Sequence, residues 1–220
     1  PKRARIHYGE NHKVPIDFFN HPVIRVCVEL PNGVEAYAFI VHLKSMRPAF
    51  RDEEKKTDPY HRAVATARAT VRRAAEAVGL RFLLLDQLRG TDTPVMVIGD
   101  LNASVTSPSA EILAGVPPWN YMPPRTASAI KDVLLYSVKD VQALRSYQDV
   151  YYTHIHNGSF QALDHIYVSE EFVQDNPNHI GYIHNVRVYN DHLVDYAMLG
   201  DSVERWQSDH GQVVAEIVLK

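Results

Sequence analysis

Short runs of apolar residues, many of them β-branched, alternate with polar stretches along most of the chain, and this pattern predicts strands. Asn32 and Gly33 separate two such runs and favour a hairpin turn. The predicted strands cover residues 23–30, 35–43, 95–98, 150–155, 162–168, 183–188 and 213–219. Residues 1–22 are polar and irregular, so no strand is predicted before residue 23.

One long segment has helical spacing instead. Asp58 and Pro59 are typical of a helix start, and Gly90 with Pro94 beyond it favours an end there. Apolar residues at intervals of three or four predict the buried face of this helix. They are Val64, Ala67, Val71, Ala74, Val78, Phe82 and Leu85. The charged residues off this stripe are interpreted as a solvated face, with a phosphate-binding surface as the alternative. They are Arg68, Arg72, Arg73 and Glu76.

Two segments after residue 100 have weaker signals. Ser107 and Pro108 favour a short helix that reaches Leu113. Prolines and aromatic residues alternate over residues 115–125, which predicts an ordered loop with buried rings; stacking of these rings on nucleic-acid bases is the alternative. Strands combined with one long helix favour packed sheets with helices outside them.

Composition limits the class of protein. The chain has 220 residues, of which 45% are hydrophobic, and is interpreted as one domain, 1–220, with a sizeable core. The net charge of −3 gives no global basic field for nucleic acid, although cations can bridge an acidic protein and a polyphosphate. A single cysteine, Cys27, excludes an intramolecular disulfide and a cysteine-rich zinc site.

The same totals bear on location. No apolar run approaches the roughly 18 residues of a membrane span, so a soluble chain is expected. The N-terminus lacks both an apolar signal segment and an initiator methionine, which suggests a processed or trimmed product. The sequence leaves the compartment open between cytoplasmic and secreted.

A carboxylate and an amide follow the apolar run 95–98. An extended backbone would point the side chains of Asp100 and Asn102 to one side. At the end of a core strand these groups cost desolvation energy unless they bind something, such as a divalent metal or a phosphate with its attacking water. A turn is the alternative, because the Gly99-Asp100 pair and Asn102 are common turn residues.

Three further polar clusters lie at strand ends or within apolar strands. His42 closes the strand 35–43, Asp164 interrupts the strand 162–168, and the pair of Asp209 and His210 precedes the last strand. Each cluster alone has an ordinary explanation: a core histidine, an ion-paired carboxylate, or a turn. Their joint occurrence favours a single functional site.

The residues around these clusters resemble the motifs of a known family. VIGDLN (97–102), ALDHIYVS (162–169) and SDHGQV (208–213) resemble three signatures, in order, of the endonuclease/exonuclease/phosphatase superfamily. VHLKS (41–45) resembles its histidine-bearing strand, and YTHIHNG (152–158) is similar to bacterial nuclease-like members. The resemblance extends from about residue 23 to the C-terminus.

The resemblance implies an α+β fold, a four-layer αββα sandwich with the site at one edge of its two sheets. It also implies hydrolysis of phosphate esters that depends on Mg²⁺ or Mn²⁺. The metal ligands carried over by motif are Asp100, Asn102 and Asp209. Hard cations of this kind neutralise phosphate charge and prefer carboxylate oxygens, which agrees with these residue types.

The resemblance also implies roles for the other site residues. Asp100 is expected to orient or deprotonate the attacking water, and Asn102 to position that water and the phosphate. His210 is expected to contact the scissile phosphate, with Asp164 as its hydrogen-bonded partner. His42 is expected near the leaving oxygen or as a donor to a phosphate oxygen.

The sequence departs from the family at its beginning. Family members have a first strand ending in Asn and a second ending in Glu, which is a principal metal ligand. Neither strand is predicted before residue 23, and neither role is assigned to Glu10 or Asn11. The chain is therefore expected to begin roughly a hundred residues into the family pattern, with one sheet incomplete at the N-terminus. Gly211 also stands where the family often has a larger residue.

Three explanations follow from this departure: an N-terminal part that is separate from this sequence, a second chain that completes the sheet, or a non-catalytic member. The first is favoured because the other site residues are present. The favoured function is a metal-dependent nuclease that cleaves phosphodiester bonds in nucleic acid with an activated water. The alternatives are a phosphomonoesterase or phospholipase that acts on inositol phosphates or lipid head groups, and a binding domain without the metal-ligand Glu.

Overall fold

A computed structural model describes residues 4–8, 12–16, 19–143, 151–195 and 206–220 of the chain. The strands in this part are β1 (Ala4–Tyr8), β2 (His12–Ile16), β3 (Ile24–Glu29), β4 (Glu35–His42), β5 (Val95–Asp100), β6 (Tyr136–Ser137), β7 (His154–His156), β8 (Ser159–Gln161), β9 (Asp164–Val168), β10 (Gly181–Tyr189) and β11 (Gln212–Leu219). The helices are α1 (Pro59–Leu88), α2 (Pro108–Ala114), α3 (Pro124–Lys131) and α4 (Val138–Ala143), with a 3₁₀ turn at Glu170–Phe172.

The central sheet has five strands in the order β3-β4-β5-β9-β6. β4 and β5 are parallel and are connected through α1, whereas the other neighbouring pairs are antiparallel. The register pairs His42 with Asp100 and Asp100 with Asp164. Three of the predicted site residues therefore lie in one row across adjacent strands, at the edge where β5 ends.

Gly99 is required for a reason other than the turn that was considered from the sequence. It lies inside β5 with φ of 143°, and a Cβ there would meet the carbonyl oxygen of Val41 at 2.0 Å. The close approach of β4 thus requires glycine, because any side chain would push the two strands apart. The predicted hairpin at Asn32 and Gly33 is confirmed by the antiparallel β3–β4 pair, with Gly33 at φ 78°.

The prediction that no strand precedes residue 23 is wrong, because β1 and β2 form an antiparallel hairpin. Apolar residues alternate with charged ones in this region, as in Ile6 between Arg5 and His7, and the high polarity hid the two-residue period. Glu10 and Asn11 lie outside the described residues.

Helix α1 begins and ends where its caps predict. The Asp58 side chain accepts a hydrogen bond from the His61 backbone N–H, and Gly90 adopts φ of 67° just beyond the helix. The predicted buried face is wrong: Val64, Val71 and Phe82 are 37%, 50% and 46% exposed. The face that packs against the core contains Ala65, Ala69, Ala77, Leu80, Leu84 and Leu88. Both stripes have helical spacing, and the smaller residues of the second allow the closer approach to the sheet.

Later elements agree with the predictions in part. α2 begins at the Ser107 cap, as expected. Strand β7 is shorter than the predicted 150–155 and begins at His154, and residue 150 lies outside the described part of the chain. The rings of the 115–125 loop were predicted to be buried, but Trp119 and Tyr121 are 58% and 79% exposed. The prolines of this loop restrict its backbone, so its order does not require burial of the rings.

Two hydrophobic cores cover opposite faces of the central sheet. One joins the sheet to α1 and α2 and includes Leu80, Leu84, Val97 and Leu113. The other joins the sheet to a second, antiparallel sheet of β10 and β11 and includes Ile166, Val168 and Ile183. The helix–sheet–sheet layering confirms the predicted α+β sandwich. The second sheet has two strands within the described residues.

Part of the central sheet is not covered by the second one. Ile24 and Val26 of β3 and Ile40 of β4 are 54%, 41% and 39% exposed on the sheet surface. Among the described residues, no helix has the length and apolar character that crossing a membrane requires.

Candidate active site

Asp100 and Asn102 form a compact acidic corner where β5 ends. The Asn102 backbone N–H donates to Asp100 Oδ1 at 2.7 Å, and Asn102 Nδ2 donates to Asp100 Oδ2 at 2.9 Å and to the Leu43 carbonyl at 3.1 Å. Asn102 is buried and has φ of 49°, a conformation that asparagine tolerates. The two side chains thus meet through a turn, not through the extended backbone that was predicted.

Burial raises the pKa of Asp100, and the nearby Asp164 carboxylate raises it further. The Asn102 backbone N–H and the His210 and His42 rings act in the opposite direction, since each stabilises the ionised form of Asp100. A carboxylate with a raised pKa is a stronger base than an ordinary one. This corner therefore combines acceptor oxygens with a carboxylate suited to taking a proton from water.

His42 lies beside this corner at the end of β4. Its Nε2 is 3.5 Å from Asp100 Oδ2, and its side chain is 49% exposed. The His21 ring stacks on it, with ring centroids 4.0 Å apart and planes 7° from parallel. His42 can therefore reach both Asp100 and a molecule in solvent.

The Asp164–His210 pair faces the acidic corner from β9 and from the segment before β11. His210 Nδ1 lies 2.7 Å from Asp164 Oδ2, and this hydrogen bond is the main reason why the pKa of His210 is raised. The carboxylate stabilises the imidazolium and fixes the ring orientation. Tyr151 Oη donates to the Asp164 backbone carbonyl at 3.2 Å.

A buried threonine holds these two segments together. Thr153 Oγ1 accepts hydrogen bonds from the backbone N–H groups of Leu163 and Asp164, and the Thr153 carbonyl accepts one from the Gly211 N–H at 2.7 Å. A Cβ at Gly211 would lie 3.2 Å from Asn190 Cβ and from the Tyr189 carbonyl oxygen. A side chain at this position would therefore require its neighbours to shift slightly.

The structure brings together five of the six predicted site residues: His42, Asp100, Asn102, Asp164 and His210. One possible metal-ligand atom from each of Asp100, Asp164 and His210 lies within 4.8 Å of the others. The sixth, Asp209, is exposed and groups with His154 and His210 instead of with Asp100. The possible metal ligands near Asp100 are mostly carboxylate and amide oxygens, which fit a hard divalent cation.

Sequence reasoning missed a polar network behind this site. Glu76, interpreted as solvated, is fully buried on α1 and accepts hydrogen bonds from the backbone N–H groups of Asn20 and Lys44 at 2.9 and 2.8 Å and from Arg72 Nε at 3.0 Å. Arg73 is also buried and donates to the Lys44 carbonyl at 3.2 Å. These bonds fix the segments that carry His42 and His21.

A local signal for this network was present in the sequence. Arg73 and Glu76 are three residues apart and fall on the helix face of Ala65, Ala69 and Leu80. Choosing that face as the buried one would have identified them as buried charges, which need partners. His154 lies within the YTHIHNG motif but was not predicted to be near the site. Its contact with the Asp209 carbonyl joins segments more than fifty residues apart.

The model of the Endonuclease/Exonuclease/phosphatase family matches residues 7–210, and the chain belongs to this family. A comparison with curated protein sequences gives no match. Similar solved structures include the human Nocturnin catalytic domain with bound sulfate anion, at 19% identity and a TM-score of 0.47, covering 90% of this chain and 53% of that one. A mannosyl-6-phosphatase from Bacteroides thetaiotaomicron is similar at 17% identity and a TM-score of 0.43, covering 85% and 52% of the two chains.

A third similar structure, SmcL, has 13% identity and a TM-score of 0.34, and the match covers 76% of this chain and 46% of that one. The chain thus spans about half the length of the solved structures that it matches.

Proposed function

We propose that this protein hydrolyses phosphate esters with a divalent cation and an activated water. The observation that carries the proposal is the row of His42, Asp100 and Asp164 on adjacent strands, with His210 held opposite Asp100 by its 2.7 Å contact to Asp164. Attack of water on a phosphate requires a base, a positive charge near the phosphate and a metal ion. Asp100, the His210 imidazolium and the oxygens of Asp100 and Asn102 can provide these within one half-buried site.

Asp100 is the proposed base, because its carboxylate lies between His42 and the Asp164–His210 pair and burial raises its pKa. Asn102 holds the Asp100 carboxylate in place through two hydrogen bonds, and its Oδ1 is the proposed ligand atom. His210, held by Asp164, supplies a positive charge and an N–H donor to the phosphate. His42 is the proposed donor to a phosphate oxygen or to the leaving oxygen, because its half-exposed ring lies beside Asp100.

Mg²⁺ or Mn²⁺ is the proposed cofactor, and it would neutralise phosphate charge and lower the pKa of a bound water. Asp100 and Asn102 would hold it, because their oxygens suit a hard ion. Asp209, predicted from the sequence as a third ligand, is proposed to act from the outer side of the pocket, where its side chain is exposed.

The proposed substrate is nucleic acid, which makes the protein a nuclease. Trp119 and Tyr121 support this class, because exposed aromatic rings can stack on bases; their centroids are 5.5 Å apart. A small phosphate ester is the second candidate, favoured by the net charge of −3, which gives no global attraction to a long polyanion.

Three substrates tested in parallel distinguish these candidates. The protein is incubated with supercoiled plasmid DNA, bis-p-nitrophenyl phosphate or p-nitrophenyl phosphate, each with Mg²⁺, Mn²⁺ or EDTA. Nicking of the plasmid that EDTA abolishes is the expected result and supports a nuclease. Release of p-nitrophenol from the monoester alone supports a phosphatase, and no turnover of any substrate contradicts the proposed function.

A further inference from the structure

A second group of possible metal ligands lies on the outer side of the candidate active site. One possible ligand atom from each of His154, Asp209 and His210 lies within 4.8 Å of the others. The rings of His154 and His210 have centroids 4.9 Å apart and planes 31° from parallel. Two nitrogens and one carboxylate therefore converge on one small volume.

The hydrogen bonds of His154 determine which nitrogen it offers. Its Nδ1 lies 3.0 Å from the backbone carbonyl oxygen of Asp209. A carbonyl can only accept, so Nδ1 carries the proton and donates. Nε2 is then the nitrogen with a lone pair, which is the form in which a histidine binds a metal.

His210 has the same arrangement with a different partner. Its Nδ1 is held by Asp164 Oδ2 at 2.7 Å, so its Nε2 is the nitrogen left to face a ligand. Histidines that bind metals nearly always donate their second nitrogen to a carbonyl or a carboxylate, which fixes the ring and strengthens the ligand. Both kinds of partner occur here, one for each ring.

We infer that His154, Asp209 and His210 form a binding site for a transition-metal ion such as Zn²⁺, separate from the oxygen-rich corner of Asp100 and Asn102. Two imidazole nitrogens and one carboxylate suit Zn²⁺ better than Mg²⁺, which prefers oxygen ligands. Three protein ligands leave the fourth position of a tetrahedral ion open to water.

Binding of the ion requires the three ligand atoms to be close together. From Zn–N bonds of 2.0–2.1 Å, a tetrahedral ion holds its ligand atoms about 3.3 Å apart, and the three atoms here lie within 4.8 Å of one another. Asp209 is the exposed member, so its side chain can rotate toward an ion that the two rings share. The backbone stays fixed, because Thr153 and Gly211 tie the two segments together.

The site has one consequence that rests on the proposed function. Zn²⁺ on His210 Nε2 would occupy the nitrogen that is proposed to contact the phosphate. Zinc is then expected to inhibit hydrolysis even at saturating Mg²⁺, because Mg²⁺ held by Asp100 and Asn102 leaves His210 Nε2 open to zinc.

Binding is measured directly, without substrate. The metal-stripped protein is titrated with Zn²⁺ by calorimetry in the presence of Mg²⁺, and with Co²⁺ by visible absorption, which reports nitrogen ligation. Loss of a ligand is expected to weaken Zn²⁺ binding by at least about tenfold in His154→Ala and in Asp209→Ala, and to remove the Co²⁺ band. Asp209→Ala keeps the backbone carbonyl that holds His154, so its effect isolates the carboxylate.

Two variants serve as matched controls. His156→Ala removes an exposed histidine two residues from His154, and Asp100→Asn alters the other group of ligands; both are expected to keep the Co²⁺ band. Circular dichroism and thermal unfolding verify that each variant is folded. The inference is overturned if His154→Ala and Asp209→Ala bind Zn²⁺ like the wild type, or if His156→Ala or Asp100→Asn removes the band instead.

The outcome separates this inference from the proposed function. A protein that hydrolyses no phosphate ester but binds Zn²⁺ through His154 and Asp209 retains the metal site and loses the proposed function. A protein that hydrolyses esters but binds Zn²⁺ equally well in all variants retains the function and loses the metal site.

Discussion

The two sides of the candidate active site contain side chains of different chemistry. The Asp100 side lies at the end of the central strand β5, and its possible metal ligands are mainly oxygens. Two hydrogen bonds join the Asp100 carboxylate to Asn102. The His210 side stands on the segment before β11, contains imidazoles and an exposed carboxylate, and is tied to the rest by Thr153.

The difference indicates that the two sides favour different chemical steps. Burial on the Asp100 side raises the pKa of a carboxylate and favours proton transfer, whereas the His210 side raises the pKa of an imidazole and favours contact with an anion. A nucleophile and a phosphate need such opposite environments within a few ångströms. The predictions below test whether the two sides behave as this difference requires.

Removing the base is expected to have the largest effect. Asp100→Ala should lower kcat for the diester by roughly 10²–10⁴-fold, the usual contribution of general-base catalysis, with the fold retained. Initial rates under saturating Mg²⁺, with a circular dichroism spectrum, measure this. Asp191→Ala, in the exposed loop after β10, is the control and should keep nearly full activity; equal losses in both variants would contradict the role of Asp100.

Removing the imidazole on the other side is expected to have a somewhat smaller effect. His210→Ala should lower kcat by about 10²–10³-fold, because one charged donor to the phosphate is lost. Steady-state kinetics with the diester at several Mg²⁺ concentrations measure the loss. A loss that extra Mg²⁺ restores would instead identify His210 as a ligand of the Mg²⁺ ion.

The network behind the site is expected to act mainly on stability. Glu76→Ala removes a fully buried carboxylate that accepts hydrogen bonds from two backbone N–H groups and from Arg72, and should lower the free energy of unfolding by about 3–5 kcal/mol. Urea unfolding measures it, with Glu111→Ala on the exposed side of α2 as the control. A Glu76→Ala variant as stable as the wild type would show that this carboxylate is not needed to hold the His42 segment.

The smallest expected effect is a pH dependence of stability from the Asp164–His210 pair. The pKa of His210 is raised in the folded state, so the pair adds stability that is present below the unfolded value near 6.5 and is lost as pH rises through the folded value. Both side chains are partly exposed, so the gain is about 1 kcal/mol or less. The difference in unfolding free energy between wild type and His210→Gln should be larger at pH 5.5 than at pH 8; a difference that grows with pH has the wrong sign.

The site was predictable from the sequence because its residues lie next to strand ends. His42 and Asp100 end strands that have a strong apolar pattern and Asp164 begins one, and the register of adjacent strands brings the three together. Motif order supplied His210, whose link to Asp164 spans 46 residues and has no local signal.

The parts that were not predictable depend on tertiary contacts. Two stripes of α1 have helical spacing, and only the packing of the sheet against the Ala and Leu stripe decides which one is buried. Glu76 and Arg73 follow from that choice. The contact between His154 and the Asp209 carbonyl also has no local signal, because the partners come from separate segments.

One measurement tests the central claim most directly, namely that the two sides form a single site. The rates of wild type, Asp100→Ala, His210→Ala and the double variant are compared on bis-p-nitrophenyl phosphate with Mg²⁺. Residues that act as a unit have non-additive effects, so the double variant should be about as slow as the slower single variant. Multiplied losses, or a wild type that releases no p-nitrophenol, would contradict the account.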